Sequence, residues 1–316
     1  MREFRIWRGD PSGGGLRDYR VEVNEGEVVL DVLHRLQATQ TPDLACRWNC
    51  KAGKCGSCSV EINGQPRLAC MTRMSSLEAD RPVTVTPLRT FPVLRDLVTD
   101  VSYNYAKARE MPAFAPPAEL APGEYRMHQV DVGRSQEFRK CIECFLCQNV
   151  CHVIRDHEEN KLAFAGPRLF IRAAELDMHP LDDRTDRQQH VQARQGIGYC
   201  NITKCCTEVC PEHIKITDNA IIPMKERVAD RRYDPLVWLG RRILRRDQVE
   251  QPVPATGGEV LVGRVPLAPA LGVDGKLPLS ETRIDRPGAA SPFGDDVTFP
   301  VPTDRLTYQH PERDED

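Results

Sequence analysis

Thirteen cysteines fall into three groups along 316 residues: five between Cys46 and Cys70, four between Cys141 and Cys151, and four between Cys200 and Cys210. Thiolates bind soft metals and iron-sulfur clusters, so grouped cysteines are the residues most capable of chemistry in this chain. In the first group, Cys50-x4-Cys55-x2-Cys58 closed by the distant Cys70 has the plant-type spacing of a 2Fe-2S cluster: a tight loop supplies three ligands and a remote residue the fourth. Gly53 and Gly56 lie inside that loop. Without side chains they let backbone amides approach the cluster and donate hydrogen bonds to its negative sulfurs. A structural zinc site can use the same four thiolates, but x4-x2 spacing within a glycine-rich loop favours iron-sulfur. Cys46 falls outside the spacing and reads as a spare thiol.

The second group, Cys141-x2-Cys144-x2-Cys147-x3-Cys151, and the third, Cys200-x5-Cys206-x3-Cys210-Pro211, are two versions of one run. In bacterial two-cluster ferredoxins the run is C-x2-C-x2-C-x3-C-P, and the fourth cysteine of each run ligates the other cluster. Applied here, the rule assigns Cys141, Cys144, Cys147 and Cys210 to a 4Fe-4S cluster. It leaves Cys151, Cys200 and Cys206 as three thiolates for the other site, because Thr203 stands where the third run lacks a cysteine. Three thiolates suit a 3Fe-4S cluster. Cys205 has the wrong offset and reads as a packed thiol. His152 replaces the usual proline after the second run and reads as a hydrogen-bonded structural histidine, with contact to a cluster or quinone as the alternative. No catalytic residue for an organic substrate is identified.

These cysteines need a scaffold, and its elements are readable. Phe4 and Ile6 alternate with polar residues, a flexible turn is expected over Pro11 to Gly15, and Tyr19, Val21 and Val23 alternate again: a β-hairpin. Val29, Val32, Leu33 and Leu36 take helical spacing, and Val60, Ile62, an Asn63-Gly64 turn, Val83 and Val85 add strands. The prediction for residues 1–95 is a small β-grasp sheet gripping one helix. Leu94, Leu97, Val98, Val101 and Tyr105 fall on one helical face, so a helix and a proline-rich linker are expected over 96–129. From 130 to 246 strand signals are scarce, which predicts an α-helical domain around the two later cysteine runs. Residues 247–316 are broken by proline and glycine and read as a disordered tail. The fold class is α+β.

A net charge of -3 leaves no basic excess to neutralise phosphates, so nucleic acid is not an expected partner. The chain opens on Arg2, Glu3 and a strand-like alternation rather than a signal peptide, which favours a reducing compartment with metal-bound thiolates over a disulfide scaffold. No run reaches the ~20 apolar residues of a membrane helix, so a membrane connection is expected through a partner. Trp238 to Arg246 mixes an aromatic, leucines and arginines, a pattern of headgroup contact that a basic surface helix docked on a partner also produces.

The order and spacing of the cysteine motifs resemble the iron-sulfur subunit of succinate dehydrogenase/fumarate reductase (respiratory complex II). So does the local text, Arg47-Trp48-Asn49-Cys50-Lys51-Ala52-Gly53-Lys54-Cys55-Gly56-Ser57-Cys58 and Cys141-Ile142-Glu143-Cys144-Phe145-Leu146-Cys147. Asn201 to Ile214 is most similar to the actinobacterial, menaquinone-linked branch. The resemblance spans about residues 1–245. It implies a FAD-containing catalytic partner that oxidises succinate, electron transfer through 2Fe-2S, 4Fe-4S and 3Fe-4S clusters, and a quinone near the last of these beside a membrane anchor subunit. It implies a peripheral position at the cytoplasmic face of the cell membrane. One departure stands out: many members carry a tryptophan a few residues after the cysteine matching Cys151, and here the sequence runs His152-Val153-Ile154-Arg155-Asp156-His157. No quinone ligand is therefore carried over. The competing readings are an iron-sulfur subunit of another flavin dehydrogenase, disfavoured by the N-terminal 2Fe-2S domain, and a zinc-stapled interaction module.

Overall fold

A computed structural model describes residues 1–119, 126–233, 235 and 239, all within one compact unit. Strands β1 (Arg2–Asp10) and β2 (Gly13–Val21) pair antiparallel from Arg2↔Val21 to Asp10↔Gly13. The turn is tighter than the run of glycines suggests. Asp10 Oδ1 accepts the Ser12 amide at 2.8 Å, closing the reversal over Pro11-Ser12, and the glycines already belong to β2. A side chain at Gly14 would collide with the indole of Trp7, so glycine here makes room for the ring.

Helix α1 (Val29–Thr39) follows, then β3 (Ser59–Ile62), β4 (Gln65–Leu68) and β5 (Val83–Thr86). The five strands form one mixed sheet in the order β2-β1-β5-β3-β4, with β1 and β5 parallel. Asn63 and Gly64 both have positive φ, as the two-residue β3–β4 turn requires. The inward residues Phe4, Ile6, Val60, Ile62, Val83 and Val85 share one core with Val29, Leu30, Val32, Leu33 and Leu36 of α1. Alternation of period two on the sheet and of period 3.6 on the helix produce that core, and the result is the β-grasp arrangement.

Residues 93–105 do not form the single helix that their apolar spacing suggests. They fold as a small hairpin, β6 (Val93–Arg95) and β7 (Val98–Thr99), before α2 (Ser102–Arg109). The cause is Asp96. Its buried carboxylate accepts the Gly9 amide at 3.0 Å, Arg8 Nε at 2.9 Å and the Ala45 amide at 2.8 Å, and its own backbone turns left-handed at φ 47°. A buried carboxylate with three donors outweighs local helix preference.

The second half contains α3 (Gln129–Arg139), α4 (Leu146–Val150), α5 (His152–Arg155), α6 (Pro167–Asp177), α7 (Arg187–Ala193), α8 (Cys205–Glu208) and α9 (Ile222–Tyr233), the last preceded by a π-helical segment, Ile216–Ile221. Among the described residues no strand follows Thr99. Its core joins Phe138, Phe164, Phe170 and Ile221 to the thiols of Cys147, Cys151 and Cys206. The proline-rich segment is clamped rather than loose where it is described. Arg187 donates to the carbonyls of Pro112 and Ala113 at 2.8 and 3.0 Å and pairs with Asp182, whose carboxylate also accepts the Ala115 amide at 3.0 Å. The expected tail over 247–316 lies outside the described residues, as does all of the Trp238 to Arg246 segment except Leu239, which is exposed.

Candidate iron-sulfur cluster sites

The first loop leaves the end of α1 and carries Cys50, Cys55 and Cys58 into β3, while Cys70 follows β4. Left-handed backbone at Lys51 (φ 54°), Gly53 (φ 68°) and Gly56 (φ 68°) curls the loop. The amides of Ala52 and Lys54 donate to Cys50 Sγ at 3.4 and 3.2 Å, and the Cys70 amide donates to Cys58 Sγ at 3.4 Å. Cys70 is held in place from the helix side, since the Leu30 amide of α1 donates to the carbonyl of Ala69 at 3.1 Å. Burial alone would raise the Cys55 thiol, but hydrogen bonds from Ser57 and Cys50 outweigh it and bring it down to about 6. Burial drives Cys58 the other way, up to about 12. Cys50 is exposed, next to Trp48, which is 49% exposed with Lys51 Nζ 4.8 Å from its ring centroid. Cys46 sits apart, packed on the N-terminal core, and burial raises its thiol.

The glycines separate in role. A Cβ on Gly53 would meet the Met71 side chain, whereas one on Gly56 would lie 2.6 Å from Cys144 Cα. Gly56 is therefore where the first cysteine loop touches the second, backbone against backbone. The seam is reinforced around it. The Ser59 hydroxyl lies 2.8 Å from the Gly56 carbonyl and 2.9 Å from that of Cys144, and Lys54 pairs with Glu212 at 3.0 Å. Asn149 of α4 donates to the buried Glu61 of β3 at 2.7 Å and accepts the Thr90 amide at 3.1 Å.

Cys141, Cys144, Cys147 and Cys210 line one cavity, together with Phe145, Arg168, Ile171, Pro211 and Ile216. Cys210 reaches the second run across more than sixty residues of chain, as the crossed-ligand rule expects. Cys151 and Cys206 are buried; Cys151 interacts electrostatically with Cys205 and Cys206, and Cys206 with Cys205 and Cys200. Cys206 Sγ lies 3.4 Å from the hydroxyl of the buried Thr217, which the π-helical segment presents. Thr203 Oγ1 lies 3.4 Å from Cys205 Sγ, and Cys205 Sγ donates to the Val150 carbonyl at 3.5 Å. His152 is partly buried, with Nε2 inaccessible and without a hydrogen-bond partner among the described residues.

The two later runs share a backbone fingerprint. The second and fourth residues after Cys141, Glu143 and Phe145, have φ of 56° and 59°; their counterparts after Cys200, Ile202 and Lys204, both have φ of 63°. Non-glycine residues in this conformation each carry a cost of order 1–3 kcal/mol. Four unrelated side chains share it only because both loops must curl around something in the same way. Thr203 therefore occupies the loop position that Cys144 occupies in the other run.

Clusters of iron and sulfide fit these sites better than single ions. Among the described residues no three His, Cys, Asp or Glu side chains converge tightly enough for one metal ion, whereas four cysteines line one shared cavity. Burial raises the Cys144 and Cys151 thiols to about 12 and Cys206 to about 11. Ligation requires thiolates, so loading these sites releases protons. Arg168, Thr217, Ser59 and Asn149 join the site without a motif to mark them. The one signal for Arg168 is positional: it shares a helix face with the apolar Ile171 of α6.

The fold and cysteine geometry define a class, a plant-type 2Fe-2S domain joined to a helical ferredoxin domain. Comparison agrees: residues 3–105 match the family of 2Fe-2S iron-sulfur cluster binding domains, and residues 137–214 match the 4Fe-4S dicluster domains. The chain is 32% identical over 202 residues to the fumarate reductase iron-sulfur subunit of Mycobacterium tuberculosis, covering 62% of this chain and 79% of that protein. It is 28% identical to the succinate dehydrogenase iron-sulfur subunit of Paracoccus denitrificans, covering 73% and 89%. A chain of the Mycobacterium smegmatis Sdh1 complex in the apo form superposes with a TM-score of 0.73 at 76% identity, covering 75% of this chain and 98% of that one. The chain belongs to the succinate dehydrogenase/fumarate reductase iron-sulfur subunit family and is an electron-transfer subunit.

Proposed function

We propose that this chain conducts electrons between a FAD-containing subunit that oxidises succinate or reduces fumarate and a membrane quinone, menaquinone by its resemblance to the actinobacterial branch. The observation that carries the reading is the gathering of Cys141, Cys144, Cys147 and Cys210 around one cavity, beside the Cys50 loop at Gly56 and within electrostatic reach of Cys206 at Cys147. Cys50, Cys55, Cys58 and Cys70 would hold the 2Fe-2S cluster. Cys141, Cys144, Cys147 and Cys210 would hold the 4Fe-4S cluster, and Cys151, Cys200 and Cys206 the 3Fe-4S cluster. When bound, the clusters supply one-electron transfer at potentials set by their type, charge, hydrogen bonds and burial.

The protein's own residues hold, space and insulate these centres. Ser59, Gly56 and Asn149 fix the first loop against the second, and Thr217 touches Cys206. The exposed Trp48 and Met71 beside Cys50 suit docking of the FAD subunit; the exposed Tyr199 and Ile202 flanking Cys200 suit an anchor subunit and its quinone. Among the described residues no helix is long and apolar enough to cross a membrane. Attachment is peripheral in this reading, through that anchor at the cytoplasmic face, as the family resemblance implies. No quinone-binding residue is assigned.

The test is electron paramagnetic resonance with iron and sulfide analysis on anaerobically purified protein, oxidised and then reduced stepwise. The expected result is an oxidised 3Fe-4S signal, a reduced 2Fe-2S signal and about nine irons per chain. Zinc without a signal would end this reading; two 4Fe-4S clusters would make Cys205 or another group a ligand.

A further inference from the structure

Arg168 is the second residue of α6, directly after Gly166 and Pro167. Gly166 has φ 89° and lies against the Gln148 side chain, which leaves no room for a Cβ. That contact seats the start of α6 on α4 and delivers Arg168 to the wall of the Cys141/Cys144/Cys147/Cys210 cavity. Arg168 is only 9% exposed. Its Nη2 donates to Glu143 within the cysteine run, but its Nε is fully buried and has no acceptor among the described residues. Such an unmet donor on a buried cation is destabilising unless something else at the site accepts from it.

We propose that Arg168 raises the reduction potential of the cluster held by Cys141, Cys144, Cys147 and Cys210, acting as a buried cation whose Nε–H meets a sulfur acceptor at that site. The inference rests on the ligand assignment proposed above. The four thiolates and their cluster form an anionic centre, and reduction adds one electron and hence one further negative charge. A fixed positive charge in a poorly screened wall favours the more negative state, as does a hydrogen bond to sulfur. Arg168 interacts electrostatically with both Cys141 and Cys147. The opposing carboxylates are weaker there. Glu143 has a side chain 43% exposed, so water screens it more than the guanidinium, and Glu212, which also lines the cavity, is paired with Lys54.

The experiment is a dithionite titration of the intact complex followed by electron paramagnetic resonance, comparing unsubstituted protein with Arg168→Met, Arg168→Lys and Glu143→Gln. Arg168→Met is expected to reduce the ratio of reduced to oxidised 4Fe-4S cluster at least tenfold at a fixed potential, a downward shift of about 59 mV for one electron. Arg168→Lys keeps the charge but loses the planar donor, so its shift should be smaller and in the same direction. Glu143→Gln should shift the midpoint upward, and the 2Fe-2S midpoint should stay in place in all three. A merely structural arginine would lower cluster occupancy and leave the midpoint of the loaded fraction unchanged. A fully loaded Arg168→Met protein with an unmoved midpoint overturns the proposal. Where that variant fails to assemble, an unmoved or downward shift in Glu143→Gln overturns it. Absence of any reducible 4Fe-4S signal in the unsubstituted complex is a different failure: the ligand assignment falls, and the proposal with it.

Discussion

Thr203 marks the corner at which the third cysteine run lacks the thiol of the second while keeping the same curl. Glu143 and Phe145 in one loop and Ile202 and Lys204 in the other adopt matching left-handed conformations, so a thiol at Thr203 would stand where Cys144 stands in its own run. Thr203→Cys is therefore expected to replace the oxidised 3Fe-4S resonance by a reducible 4Fe-4S signal and to raise the iron content to about ten per chain. An unchanged oxidised spectrum would count against the alignment of the runs. The eleven proposed ligands follow from cysteine spacing, because ligand spacing is a local property of loops. Arg168 and Thr217 were not legible. Each acquires its role from a cavity or contact assembled by segments distant in sequence, and neither an arginine nor a threonine carries a spacing signature of its own.

Elements, unlike ligands, were read well where one face repeats and poorly where a single polar residue decides. The sheet and α1 follow from alternation and helical spacing. Residues 93–105 show apolar spacing compatible with a helix, yet Asp96 takes donors from Arg8, Gly9 and Ala45 and breaks the segment into a hairpin and α2. Those donors are fifty to ninety residues away, beyond any local window. The same kind of buried polar tie holds the proline-rich segment: Arg187 and Asp182 are 3% and 2% exposed in their side chains. Removing one charge from a buried pair costs about 3–5 kcal/mol, so Asp182→Asn should lower the apparent melting temperature by roughly 6–20 °C. The 2Fe-2S signal should persist, since the pair lies in the helical half. A melting temperature within about 2 °C of the unsubstituted protein would show that the clamp contributes little.

At the scale of the molecule, every proposed ligand lies before Pro211 and the matched domains end at residue 214, so truncation after residue 246 should keep all three cluster signals and the full iron content. Loss of any one signal on truncation would give the tail a part in cluster retention. The two halves meet through more than side chains. Gly56 rests directly on the backbone of Cys144, with the Ser59 hydroxyl between their carbonyls. Backbone contact is the shortest ruler a polypeptide possesses, and it has no rotamers to relax. The interval between the first two centres is thus machined to the tolerance of the main chain itself, and an added atom at Gly56 would force it open.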